Sequence, residues 1–315
     1  MKYIKLDNRY DFFISMTWSG GNINHGVSGH LYEIIEYYQL LKEYFKVGIL
    51  ICEDLTWDVI EKAIRTKYKL NLTEINNIKK NIVFANRPKY VVGKNILFVD
   101  GTFTRNMLRY GVVLLFENIF SFRCSNKDFH YNLPYKNITL LQDNRVYNDE
   151  DNKISIDYKK KIKFDIFKDL KKPIDNAALL YITSNCRKLC DDNIIDIIVQ
   201  YKFDNYVILS NKNKEYKERF KDFKNICFPT MPVKNIFEKF DTYIYTPTKD
   251  SFDCSPRFIA ECKFYNKNII YHNIDNDYLK IDTGLKYRKY DIQHNFNSIA
   301  LNHNDDIIKI IKNII

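Results

Sequence analysis

Asp253-Cys-Ser-Pro-Arg-Phe-Ile-Ala-Glu261 is the segment of this chain best equipped for chemistry. Its two acids stand eight positions apart, one in a loop and one inside the helix that the following residues predict. Ser255 and Pro256 make a good helix start, because serine can accept from the first free amides and proline lacks only an N–H that is not needed there. The free amides of that turn and the positive end of the helix dipole suit a diphosphate. Arg257 adds a charge and a planar fork of donors in the same turn. Glu261, one turn further on, is a carboxylate able to accept from two sugar hydroxyls. The plainer reading is an ordinary surface helix start with a solvated Asp and Glu.

Three other groups of residues carry chemical potential. Arg187 and Lys188, in Ser184-Asn-Cys-Arg-Lys, follow the first strand predicted for the second half of the chain. Two fixed cations there stabilise an anionic leaving group without a metal, or else form a solvated basic turn. Trp18-Ser-Gly20-Gly21-Asn-Ile-Asn-His25-Gly-Val-Ser-Gly-His30 separates a predicted strand from a predicted helix. Its glycines let backbone approach a ligand closely, although the run is not the G-x-G-x-x-G of dinucleotide sites. His25 can orient a substrate hydroxyl or take its proton, or serve the loop structurally; His30 falls inside the helix pattern and reads as a packed or surface residue. Asp100 and Asp143 each end a predicted strand, in FVDGT and LLQDNRVY, and either suits a general base or a helix cap. Asp143 is favoured as the base because Gln-Asp-Asn-Arg gathers several polar groups at one strand end.

No metal is expected. No Asp-x-Asp motif stands in a convincing place, and Asp191-Asp192 reads as a helix opening. Cys186 and Cys190 are four apart and Cys254 and Cys262 eight apart, without zinc-knuckle spacing or a neighbouring histidine. Seven cysteines, an odd number, point to reduced thiols acting as small buried hydrophobes.

The elements that must position these groups alternate. Tyr10 to Thr17 reads as a buried strand and Ser28 to Phe45 as a helix, with Leu31, Ile34, Ile35, Tyr38 and Leu41 on one face and Ser28 as its cap. Val47 to Cys52 is the next strand, and Thr56 caps the helix WDVIEKAI. Shorter strands are predicted at Ile82 to Ala85, Ile96 to Asp100, Ile119 to Cys124 and Ile138 to Gln142. From about Asn144 to Asp175 the pattern dissolves into polar, Lys-rich sequence. Strand and helix then alternate again from Ala177 to Tyr271, and Asp305 to Ile314 is an amphipathic helix. Such alternation implies βαβ units on parallel sheets, hence an α/β protein of two Rossmann-like domains facing a cleft, with a C-terminal helix. The boundaries are 1–150, a linker 151–175, 176–290, and a tail helix 291–315.

The 315 residues suffice for two domains, and 45% hydrophobic with 28% charged residues is a globular composition. No apolar run approaches the ~20 residues that cross a bilayer, and the start has no signal core, so a cytoplasmic protein is expected. The net charge of +10 suits an acidic partner such as nucleic acid or an anionic membrane face. It also follows from a sequence saturated with Asn, Lys, Ile and Tyr, as an AT-rich genome produces. Most of the 24 Tyr and 22 Phe belong to core patterns.

The segment from Asp253 to Glu261 resembles the donor-site signature of GT-B glycosyltransferases: an acid, seven residues, then Glu, with Pro-Arg-x-x-x-Glu opening the helix. It covers the second half most clearly, about Ala177 to Tyr271. The resemblance implies that Asp253 contacts the donor sugar, that the backbone around Ser255 faces the diphosphate, and that Glu261 holds the ribose hydroxyls. It places Arg187 and Lys188 on the donor phosphates and the Gly20-Gly21 loop with His25 over the cleft. Asp stands where Glu is commoner, and Asn266 where the family usually has Gly. The implied activity is metal-independent sugar transfer from a UDP- or GDP-sugar. The acceptor is a glycan or lipid-linked hydroxyl, through peripheral membrane contact, or a modified DNA base as in phage enzymes. Two alternatives share the scaffold: a non-enzymatic nucleotide- or nucleic-acid-binding protein, and an epimerase acting on a nucleotide sugar.

Overall fold

The computed structural model describes residues 3–16, 29–52, 55–85, 89–98, 112–121, 138–143, 153–156, 160–161, 164–182, 191–210, 213–229, 236–246, 257–272, 299–300 and 305–315. It is a mixed α/β structure whose sheets are parallel. Two units divide the chain after Phe167. The first gathers the described residues through Phe167 together with 299–300 and 305–315; the second runs from Lys168 to His272.

The first unit opens with β1 (Tyr3–Lys5), β2 (Phe12–Met16), α1 (Gly29–Leu41), β3 (Val47–Ile51), α2 (Trp57–Lys67), α3 (Leu72–Lys80) and β4 (Ile82–Phe84). β5 (Lys89–Phe98), β6 (Val112–Ser121), β7 (Ile138–Asp143) and β8 (Lys153–Ile156) follow. The sheet order is β4-β3-β2-β5-β6-β7-β8, with β1 pairing the first half of β5. Because β2 lies between β3 and β5, strand order reverses there, and the chain leaving β2 and β5 departs from neighbouring strand ends.

Close packing across this sheet depends on two glycines. Gly48 pairs with Phe13 and Gly93 with Phe116. In each case the phenylalanine ring lies where a Cβ on the glycine would stand, the nearest ring carbon of Phe116 being 2.5 Å from that point. An aromatic ring thus covers a bare stretch of strand. The buried positions of β5 and β6 change parity together, from Val91, Leu114 and Phe116 to Ile96, Phe98 and Ile119. At the change Asn118 donates to Asn95 Oδ1 at 2.9 Å, and Asn95 donates to the Asp11 carbonyl. On the outer side of β1, β5 and β6, Tyr3 is 62% and Leu115 45% exposed beside exposed Lys5, Lys94 and Glu117.

α1 departs from the one-sided helix expected. Leu31, Ile34, Ile35, Tyr38 and Leu41 are buried, but so are Glu33, Glu36, Tyr37, Gln39 and Leu40 on the remaining faces. Tyr68 donates to Glu36 Oε1 at 2.5 Å, which compensates part of the cost of enclosing a carboxylate. Thr56 occupies the N-cap of α2 with extended backbone but makes no capping hydrogen bond. The unforeseen α3 is capped fully instead: Asn71 accepts from the Glu74 amide and Glu74 accepts from the Asn71 amide, a complete capping box.

The expected linker 151–175 is partly structured. Lys153-Ile-Ser-Ile156 extends the sheet as β8 because its alternation pairs with β7, and β9 (Lys160–Lys161) pairs in parallel with β15 (Ile299–Ala300). The closing helix α7 (Asp305–Ile314) belongs to the first unit, burying Ile307, Ile308 and Ile311, with Lys312 Nζ 6.0 Å from the Tyr44 ring centre.

The second unit comprises β10 (Ala177–Ile182), α4 (Asp191–Tyr201), β11 (Asn205–Ser210), α5 (Asn213–Arg219), β12 (Ile226–Cys227), β13 (Thr242–Tyr245), α6 (Arg257–Phe264) and β14 (Asn268–Tyr271). The order is β12-β11-β10-β13-β14. Along β10 alternate residues serve opposite cores. Ala178, Leu180 and Ile182 meet Ile194, Ile197 and Ile198 of α4 with Phe220, while Ala177 and Leu179 meet Phe237, Phe240, Ile259 and Cys262. Burial on both faces explains why these strands read as continuous apolar runs. Cys52 and Cys262 are buried as expected, whereas Cys227, on the edge strand β12, is exposed.

Candidate functional site

In the second unit strand order reverses between β10 and β13, which are paired neighbours. Ligands of open parallel sheets bind outside the carboxyl ends of the strands at such a reversal. The segment containing Asp253 and Ser255 links β13 to α6, and α6 carries Arg257 and Glu261.

Arg257 Nε donates to Glu261 Oε1 at 2.7 Å, and the two residues are 8% and 3% exposed. Their i,i+4 spacing stacks them on one face of the helix's first turns. Enclosing two charges is costly unless they are paired, and the short contact supplies that pairing. Arg257 therefore spends its Nε on Glu261, where the sequence pointed it at a diphosphate. The carboxylate acts on its neighbours: burial and then the Glu261 charge push the Cys262 thiol well up, opposed by Lys267. Burial followed by Glu261 and Asp169 raises the Tyr265 phenol, which donates to the Lys168 carbonyl at 3.1 Å.

The C-terminal end of α6 is fixed with equal care. Asn266 has a φ of 53°, the left-handed conformation usually given to glycine. Its amide donates to the Lys263 carbonyl, and the Lys267 amide donates to the Cys262 carbonyl, the paired bonds of a Schellman motif. Lys267 Nζ then donates to the Phe240 carbonyl at 2.8 Å. Asparagine thus does here what glycine does at most such helix ends, because its short polar side chain tolerates that conformation.

Of the other residues singled out in the sequence, Asp143 closes β7 opposite Ile156 of β8. Its side chain lies outside the described residues, as do Gly20, Gly21, His25, Asp100, Arg187, Lys188, Asp253 and Ser255. Between β2, from which the His25 loop leaves, and β7 stand β5 and β6. Three strand spacings, about 14 Å, therefore separate those strand ends. β5, which runs towards Asp100, is instead the direct neighbour of β2.

Two buried polar groups escaped sequence reasoning. His272 follows β14, its amide donating to the Tyr245 carbonyl, and its Nδ1 lies 3.0 Å from the Tyr201 hydroxyl. Burial lowers its pKa, with Asp196 opposing. A histidine directly after the apolar run Asn-Ile-Ile-Tyr was the available signal. The second is the stripe Glu33, Glu36 and Gln39 on α1, whose three-residue spacing inside an apolar helix was equally visible. Among the described residues no group of three or more His, Cys, Asp or Glu could hold a metal ion, and no helix is long and apolar enough to cross a membrane. Compared with known protein families and with curated protein sequences, the chain matches none.

Proposed function

We propose that the chain is a GT-B-type glycosyltransferase of two Rossmann-like units, the second holding a UDP- or GDP-sugar. The observation that carries this reading is the position of the Arg257–Glu261 pair: buried, and on the helix that follows the strand beside the order reversal. A motif of that spacing on an ordinary surface helix would leave both charges in solvent.

In this reading Glu261 accepts from the ribose hydroxyls, Asp253 contacts the sugar, and the amides around Ser255 meet the diphosphate with Arg187 and Lys188. An acceptor hydroxyl oxygen bonds to the anomeric carbon as the bond from that carbon to the diphosphate oxygen breaks, and the nucleoside diphosphate leaves with the electron pair. The fixed cations and amides stabilise the charge developing on the leaving oxygen. The acceptor's proton goes to a group of the first unit. Strand order favours Asp100 over Asp143 as partner of the His25 and Gly20-Gly21 loop, since β5 adjoins β2 and β7 does not.

The test is release of nucleoside diphosphate from UDP- and GDP-sugars, with glycan, lipid-linked and DNA acceptors supplied in turn. Turnover with one nucleotide family and one acceptor, abolished in Glu261→Ala, is the expected result. No turnover with any pairing, together with salt-sensitive nucleic-acid binding indifferent to nucleotide sugars, would replace this reading with the non-enzymatic one.

A further inference from the structure

The sequence alone aims Arg257 at phosphate. The geometry points elsewhere: we infer that Arg257 is a positioning residue, acting on a bound nucleotide through Glu261 so that the carboxylate recognises the ribose diol rather than the diphosphate. This rests on the reading of Glu261 as the ribose carboxylate.

Three observations carry it. First, the guanidinium's Nε, the donor nearest its stem, is taken up by Glu261 Oε1 at 2.7 Å. Arg257 is the first residue of α6 and Glu261 lies one turn inside, so the contact draws the arginine head along the helix face, away from the amides that open the helix. Second, the side chains are only 10% and 4% exposed, so neither can swing freely between partners. An ionised carboxylate offers acceptor sites on both oxygens to the hydroxyls of a diol, and a cation in contact favours the ionised form. Third, the helix is clamped at its other end by the Schellman bonds of Asn266 and Lys267 and by Ile259 and Cys262 in the core. The backbone under Glu261 is therefore held at both ends of the helix, and the contact with Arg257 fixes the direction of the carboxylate.

A residue that touches phosphate and one that works through a ribose carboxylate differ in what their removal spares. The experiment titrates UDP and GDP, and the 2′,3′-dideoxy form of each, into the full chain and into Arg257→Met by calorimetry. The unaltered chain should prefer the ribonucleotide. In Arg257→Met the ribonucleotide should weaken about tenfold to a hundredfold, the scale of a lost hydrogen bond to a charged group, while the dideoxy form changes by less than about twofold. The preference for ribose then collapses. If Arg257→Met does not fold, Arg257→Lys carries the same test, retaining a cation but not the planar fork, with a smaller loss again confined to the ribonucleotide. Equal weakening of ribo and dideoxy forms would overturn the inference and return Arg257 to the phosphates, and so would an unchanged preference. Failure of the unaltered chain to bind either nucleotide would instead remove the reading of the site itself, and this inference with it.

Discussion

The two sheets follow one plan of strand order and differ in how they are covered. In the second unit every central strand is wedged between two cores, and the reversal between β10 and β13 lies beside a helix with a buried ion pair. In the first unit the sheet is wider, and the outer side of β1, β5 and β6 carries exposed Tyr3 and Leu115. Parallel sheets are usually buried on both faces. Full burial on both sides leaves a strand little freedom, which is what a site demanding fixed geometry needs; the first unit has it in β2 and β3 and lacks it where β1 and the first halves of β5 and β6 face outward.

That contrast can be broken by mutation. Phe240→Ala, at a position with no exposure in the second unit, should cost about 3–5 kcal/mol in urea unfolding, whereas Tyr3→Ala should stay within about 0.5 kcal/mol. Comparable losses would mean that the outer side of β1 is covered in solution. Gly48→Val drives a side chain into the Phe13 ring on the inner side of the first sheet and should cost about 1–3 kcal/mol. A neutral result would show that this face is packed more loosely than the second unit. Asn266→Ala forces an alanine into the left-handed conformation and should lower stability by about 1 kcal/mol, with Asn266→Gly neutral or better; equal stability of both would argue against the Schellman end of α6.

The smallest effect is one of pH. Burial depresses the His272 pKa in the folded state below its unfolded value, so the unfolded chain binds the proton more readily. Stability from this group is present above the unfolded value, about 6.5, and declines as pH falls below it. His272→Gln should flatten that part of the thermal midpoint against pH; an unaltered slope would assign it to other groups.

The second unit was legible because its strands are short apolar runs separated by helices with clear periodicity, which locate β10, β11, β13 and β14 along the chain though not their order in the sheet. The first halves of β5 and β6 were not, because Asn95 and Asn118 interrupt the apolar pattern where buried positions change parity. β8 was lost in a stretch whose lysines and polar residues made it read as a linker. At the site, Arg257 and Glu261 stood out through the helix start at Ser255-Pro256 and the resemblance of the segment to a donor-site signature, and i,i+4 places them on one helix face. Their mutual bond did not, because sequence shows which side chains are near each other and not which partner each prefers. Buried Glu33 and Glu36 were overlooked for a related reason: a helix with one apolar stripe is expected to be solvated opposite it, and α1 is enclosed all round.

The claim that the second unit is a nucleotide-binding site built on α6 is tested most directly by a thermal midpoint series with UDP, GDP, ADP, CMP and their common sugars, because a ligand that binds only the folded state must raise the midpoint. One nucleotide family should raise it in the unaltered chain, with the rise absent in Glu261→Ala. A rise of the same size in both proteins, or none with any nucleotide, would contradict the account.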